Sequence, residues 1–275
     1  MAEIVAAVGV PHTPAFPGLV QREGPDSETG HLYAQVRSHL EASGTQVLVM
    51  FDSDHLNTFF FDNLPALSVP IAAAADGTND GTPGMRERSV TLAPELGDLI
   101  LGGLTGQGYF PSRNAKLSLD HSVMVPLHFL DPGEQLMALP IYLNGLAPPL
   151  PGAGRCLALG EAVRTIIESW DSPLKVAIAA SGSFSLEVGG PRIADHAIAG
   201  VPDPEWVTHV SGRLKKGQAA ELVAEATSER MQRAGNVGGE LLNWIALLGA
   251  VGNRTPEVLE QQVALGHSYA TWAWS

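Results

Sequence analysis

Four segments of the chain carry continuous apolar runs: EIVAAVGV (3–10), TQVLVMF (45–51), QLMALPIYL (135–143) and LKVAIAAS (174–181). Runs that are continuous rather than alternating predict strands covered on both faces. Helix-like stretches separate them at 28–42, 93–105 and 156–170. Further helices are predicted over 217–232 and 238–252, so the C-terminal third reads as helical. Alternation of strand and helix predicts an α/β fold, a largely parallel central sheet flanked by helices. Two long Gly/Pro-rich connections, ADGTNDGTPG (75–84) and GLAPPLPGAG (145–154), are of the kind that line sites. Neither has a linker's low complexity, and no internal repeat is visible. One catalytic domain over 1–275 is expected.

In an open α/β sheet, ligands bind beyond the carboxyl ends of the strands. The first predicted strand runs into Pro11, His12 and Thr13, and the second into Asp52, Ser53, Asp54 and His55. The third ends at Asn144 and Gly145, the fourth at Ser181, Gly182 and Ser183. Two histidines at two such ends form the strongest chemical signal in the chain. Two neutral imidazoles plus one carboxylate, with coordination positions left open, suit non-haem Fe(II). Glu240 is the candidate carboxylate. It opens an apolar helix in GNVGGELLNWIALLGA, after two glycines that allow close backbone approach. Each residue also has a plain structural reading, a hydrogen-bonded strand-end histidine or an acid at a helix N-terminus. It is their convergence that would favour a metal.

Composition narrows the class. Of 275 residues, 45% are hydrophobic and only 16% charged, as in a well-buried α/β enzyme. A net charge of −13 with scattered Lys and Arg argues against nucleic acid. No segment is long and apolar enough to predict a membrane span. The N-terminus lacks a basic secretory n-region, so a cytoplasmic protein is expected. The lone Cys156 excludes an internal disulfide and an all-cysteine zinc site.

Four blocks in order, IVAAVGVPHTP, SDHLNTFFFDN, LDHSVMVPLHFL and GNVGGELLNW, resemble the class III extradiol ring-cleavage dioxygenases. The resemblance is to catalytic (beta) subunits of the protocatechuate 4,5-dioxygenase type and spans almost the whole chain. It implies that His12, His55 and Glu240 bind Fe(II), with Phe59, Phe60 and Phe61 packed beneath the site. It implies that His121 is an acid/base or oxygen-binding group beside the metal. The implied reaction inserts both atoms of O2 into a small catecholic or related aromatic substrate, in aromatic compound catabolism. The implied partners are further copies of the chain or a small alpha-type subunit. His128, in an apolar run, is expected to be structural.

The chain also departs from the family. Where members usually read Ser-Gly-Gly-Leu-Ser-His, this sequence reads SGSFSLEVGGP, and the position of the proposed catalytic base is Leu186. Glu187 and His196 are candidate replacements, each with a plain reading as a solvated acid or surface histidine. An alternative function follows: a divalent-metal hydrolase or lyase on the same scaffold. A metal-holding non-catalytic subunit ranks behind both, since a purely structural copy has no need of open coordination positions. Ser122 stands where glycine is expected, a change expected to shift the His121 backbone. Asn57 and Tyr269 are candidates to face the substrate. His267 reads as a surface or interface residue, and the apolar YATWAWS end as an interface or part of the core.

Overall fold

The structure, a computed structural model, describes residues 1–193 and 197–274. Its main sheet has eight strands: β1 (Glu3–Val10), β2 (Val47–Asp52), β3 (Leu67–Pro70), β4 (Ser112–Asn114), β5 (Met137–Leu143), β6 (Lys175–Ser181), β7 (Val258–Gln262) and β8 (His267–Ala273). Their order is β7-β8-β1-β6-β2-β5-β3-β4. The four strands predicted from apolar runs are the central ones, β1, β6, β2 and β5, and pair in parallel. At the flanks, β8 runs antiparallel to β1 and β3 antiparallel to β5.

The helices are α1 (Phe16–Glu23), α2 (Glu28–Ser43), α3 (Pro94–Gly106), α4 (His121–Leu130), α5 (Ala153–Ser169), α6 (Pro204–Lys215), α7 (Ala219–Glu225), α8 (Ser228–Arg233) and α9 (Leu241–Val251). Alternate residues of each central strand face opposite cores. Ala7, Val49, Ile141 and Ile178 pack with α3, α5 and α9, whereas Val8, Met50, Ala138 and Ala179 pack with α1, α2 and α4. Burial on both faces is why these strands read as unbroken apolar runs. The helix predicted over 217–232 is two helices. Thr227 breaks it by accepting a hydrogen bond from the Arg230 amide, the N-cap of α8.

The C-terminal third, which the sequence predicts to be helical, is only partly so. Residues 258–273 form the β7–β8 hairpin, which adds an antiparallel edge to β1. Tyr269 and Trp272 are buried there, so YATWAWS belongs largely to the core. Among the described residues, no helix is long and apolar enough to cross a membrane.

Candidate metal centre

Register brings the strand ends together. Val10 pairs with Ser181, so Pro11 and His12 leave β1 beside the end of β6. The His12 Nδ1 lies 2.7 Å from the Ser181 Oγ. That hydroxyl donates to the Ser122 carbonyl at 2.9 Å, so its oxygen accepts from His12 Nδ1–H. The Nε2 of His12 is then the lone-pair nitrogen, and it faces Glu240 Oε1 at 3.0 Å.

His55 is held the same way from the far side of the sheet edge. One oxygen of Asp120 accepts from the His55 backbone N–H at 2.6 Å and from its ring Nδ1 at 3.0 Å. In the neutral ring the His55 Nε2 therefore also presents a lone pair, 3.0 Å from the same Glu240 Oε1. Behind His55 the chain turns sharply. Leu56 sits at φ +64°, a strained conformation for a branched side chain, and the Asp54 carboxylate accepts the amides of Asn57, Thr58 and Phe59 to hold it there. Asp120 is fixed in turn by the amide and hydroxyl of Ser122, at 2.9 and 2.5 Å on its other oxygen. Ser122, the residue standing where glycine is expected, thus supports the His55 clamp.

Glu240 reaches the site because two backbones pass almost in contact. A Cβ on Gly239 would lie 2.1 Å from the Gly145 carbonyl oxygen, and one on Gly182 would lie 2.7 Å from the Glu240 Cβ. The second Glu240 oxygen accepts the Ser183 amide at 2.7 Å. Asn243 and Trp244, on the first turn of α9, donate to the Ser181 and Gly182 carbonyls and lock the helix to the end of β6.

Three acceptors, two imidazole nitrogens and one carboxylate oxygen, thus converge with their far atoms all committed to protein partners. Such an arrangement is repulsive unless positive charge lies among them. The electrostatics call for that positive charge, as a proton or as a metal ion. Burial opposes charge on His55, yet Asp120 and Glu240 raise its pKa well above the ordinary value. Burial would likewise raise Glu240, yet His12 and His55 hold it well below the usual carboxylate range. The donor set, and the hydrogen bond behind each donor, fit a divalent metal of the kind held by two histidines and a carboxylate.

His121, the first residue of α4, stands against this group. Its ring stacks on His55 at 4.3 Å between centroids and lies edge-on to His12 at 5.6 Å. One nitrogen of each of the three histidines lies within 4.8 Å of those of the other two. Burial and the neighbouring His55 lower the His121 pKa.

Other sequence expectations are corrected. Phe59 packs on Tyr142 at 4.7 Å, but Phe60 and Phe61 are exposed rather than packed beneath the site. Glu187 is no solvated acid: it is buried, bonded to Arg192 at 2.5 Å and to the Asn236 amide at 2.9 Å. Those bonds commit it to the fold. His196 lies outside the described residues. His128 packs edge-on against Phe129. Asn57 donates to the Ser118 carbonyl, and the buried Tyr269 hydroxyl donates to Gln262. His267 is not a surface residue. It is buried at the start of β8, its Nε2 2.9 Å from the Thr13 hydroxyl and its ring edge-on to Phe16. Burial, reinforced by His12, lowers its pKa to about 3.

The family of catalytic LigB subunits of aromatic ring-opening dioxygenases matches the chain over residues 6–273. The chain belongs to that family. Its relatives include a 2,3-dihydroxyphenylpropionate/2,3-dihydroxicinnamic acid 1,2-dioxygenase of Klebsiella pneumoniae, 25% identical over 87% of each chain. An Escherichia coli K12 protein of the same description is 24% identical over 82% of each. The fold matches a crystal structure of an uncharacterized Escherichia coli K12 protein with a TM-score of 0.63 and 13% identity, covering 98% of this chain and all of that one. The chain is therefore an extradiol-type ring-cleaving dioxygenase of a family whose catalysis implies a metal. Membership favours ring cleavage over the hydrolase or lyase alternative.

Proposed function

We propose that His12, His55 and Glu240 hold a single Fe(II) ion, and that the enzyme uses it to open a small catecholic ring with both atoms of O2 entering the product. The convergence of three acceptors, each 3.0 Å from its neighbour across Glu240 Oε1 and each backed by its own hydrogen bond, carries this reading. A bound ferrous ion supplies the redox link between an electron-rich ring and dioxygen, and positive charge that favours the catecholate.

The chain's own residues do the rest. Ser181 and Asp120 fix the two imidazoles with Nε2 forward, and the Ser183 amide fixes the carboxylate, so the ligands need little reorganisation. His121, neutral and stacked on His55, is the acid/base group: its ring takes a proton from a substrate hydroxyl and holds it near the reacting oxygens. Leu186 cannot share that work. Burial of His12, Asp120 and Glu240 strengthens every charge interaction among them.

The substrate belongs to the catechols, the class named for the relatives. We place the enzyme in the cytoplasm, as one catalytic domain over 1–275. We propose that it works as a homo-oligomer or with a small alpha-type subunit, to which the exposed Phe60 and Phe61 offer apolar surface. Incubation of Fe(II)-loaded enzyme under ¹⁸O2 with catechol, 2,3-dihydroxyphenylpropionate, protocatechuate, gallate and 2-aminophenol tests the reaction. A ring-opened product carrying two labelled oxygens is expected from at least one of them. A product without label, its added oxygen drawn from water, would refute the proposal.

A further inference from the structure

The Gly-rich segment 75–84, placed among the site-lining candidates by sequence, begins in a short strand (Ala74–Gly77) and reaches the centre through the side chain of Asp80. A single oxygen of Asp80 accepts from the His121 backbone N–H at 2.7 Å and from its ring Nδ1 at 2.9 Å. This repeats, with a different acid and a different histidine, the clamp that Asp120 places on His55. From it we infer that Asp80 is a positioning residue for ring cleavage: it fixes His121 as the Nδ1–H tautomer, so that Nε2 keeps its lone pair and accepts the substrate proton that no residue at position 186 can take. The inference rests on the acid/base role proposed above for His121.

The clamp is built rather than incidental. The other Asp80 oxygen accepts from the Thr78 hydroxyl at 2.6 Å, which sets the plane of the carboxylate. Asp80 sits at φ +49°, a left-handed conformation that aspartate tolerates better than most residues, and the next residue is Gly81 at φ +68°. The Asn79 side chain accepts the Gly81 amide and closes the turn. The loop is tied down beside its target, because Asp76 and Gly77 pair in parallel with Ser118 and Leu119, and the Thr78 amide donates to the Leu119 carbonyl. The acid is thus anchored to the short strand Ser118–Leu119, which leads directly into His121.

The chemistry explains why a carboxylate is needed. A neutral imidazole carries one proton, and whichever nitrogen holds it cannot accept another. The ring orientation alone does not decide the tautomer; an acceptor on the Nδ1 side does. Without Asp80, a proton on Nε2 would face the substrate hydroxyl donor to donor. Asparagine at 80 would still offer its carbonyl oxygen but no charge.

The test combines spectroscopy and kinetics. Protein labelled with ¹⁵N-histidine and loaded with Zn(II), a diamagnetic probe, is examined by long-range ¹H–¹⁵N correlation, with His121→Phe assigning the ring. We expect His121 to be Nδ1–H in the unsubstituted protein and to shift toward Nε2–H in Asp80→Ala. With Fe(II), Asp80→Ala should lower kcat by roughly 10- to 100-fold, leave KM and metal affinity within about threefold, and be partly rescued by Asp80→Asn. In the His121→Phe background, Asp80→Ala should cost nothing further. An Nε2–H tautomer in the unsubstituted protein, or losses that add in the double variant, would overturn the inference. Absence of ring cleavage by the unsubstituted enzyme would count against the proposed function, while the tautomer measurement would still decide the clamp.

Discussion

Each candidate ligand has its far atom committed before any metal arrives: His12 to Ser181, His55 to Asp120, Glu240 to the Ser183 amide. Removing a ligand should therefore abolish binding while leaving the fold. Glu240→Ala is expected to weaken Fe(II) or Zn(II) affinity by more than about 100-fold, against about 10- to 100-fold for the supporting variant Asp120→Asn. Calorimetric titration of each variant checks the ranking. His267 gives a prediction in pH. Buried and neutral, it titrates near 3 in the fold against 6.5 in an unfolded chain, so the unfolded state binds the extra proton between those values. Its contribution is complete above about pH 6.5 and is lost as pH falls, to a total on the order of a few kcal/mol. Urea midpoints across that range should fall less steeply for His267→Gln; an unchanged slope would refute the assignment. At this scale sequence marked His12, His55 and Glu240 because each stood at a predicted element end. It missed His267 because the alternation in HSYATWA is short and both of its faces are buried, which hides the period-two signal. Asp80 and Asp120 were invisible as partners, since an acid's hydrogen bond to a distant ring leaves no local pattern.

Strands β1, β2, β5 and β6 were legible because burial on both faces makes their apolar runs continuous. The short flanking strands β3 and β4, LSVP and SRN, carry too few apolar residues to be read, and β7 is half polar. What sequence does not display is the closeness of α5 and α9. A Cβ on Gly160 would meet the Ala246 carbonyl oxygen at 1.8 Å, and one on Gly249 the Leu157 carbonyl oxygen at 1.9 Å. These close approaches let α9, the helix that follows Glu240, pack directly against α5. Gly160→Ala or Gly249→Ala must push backbone from backbone, at a cost of roughly 1–3 kcal/mol. A melting temperature lowered by several degrees is expected in scanning calorimetry, with weaker metal binding because Glu240 is withdrawn. A variant as stable as the parent would show that the two helices have room to spare.

Over the whole molecule, the parallel centre of the sheet and the antiparallel β7–β8 edge do different work. The first delivers His12 and His55 to one rim, and the second buries His267 behind Thr13. Two cores, one on each face, hold this rim so that residues distant in sequence meet within hydrogen-bond reach. The family gives the reaction and the rim gives the candidate ligands; the proposed Fe(II) links the two. Oxygen uptake after anaerobic Fe(II) loading, with catechols as substrates and Glu240→Ala as the control, tests that link most directly. Uptake is expected to need both iron and substrate, to be stoichiometric with ring-opened product, and to be lost in Glu240→Ala although that variant remains folded. Uptake that persists in folded Glu240→Ala, or tight Zn(II) binding with no iron-dependent uptake in the unsubstituted enzyme, would contradict it.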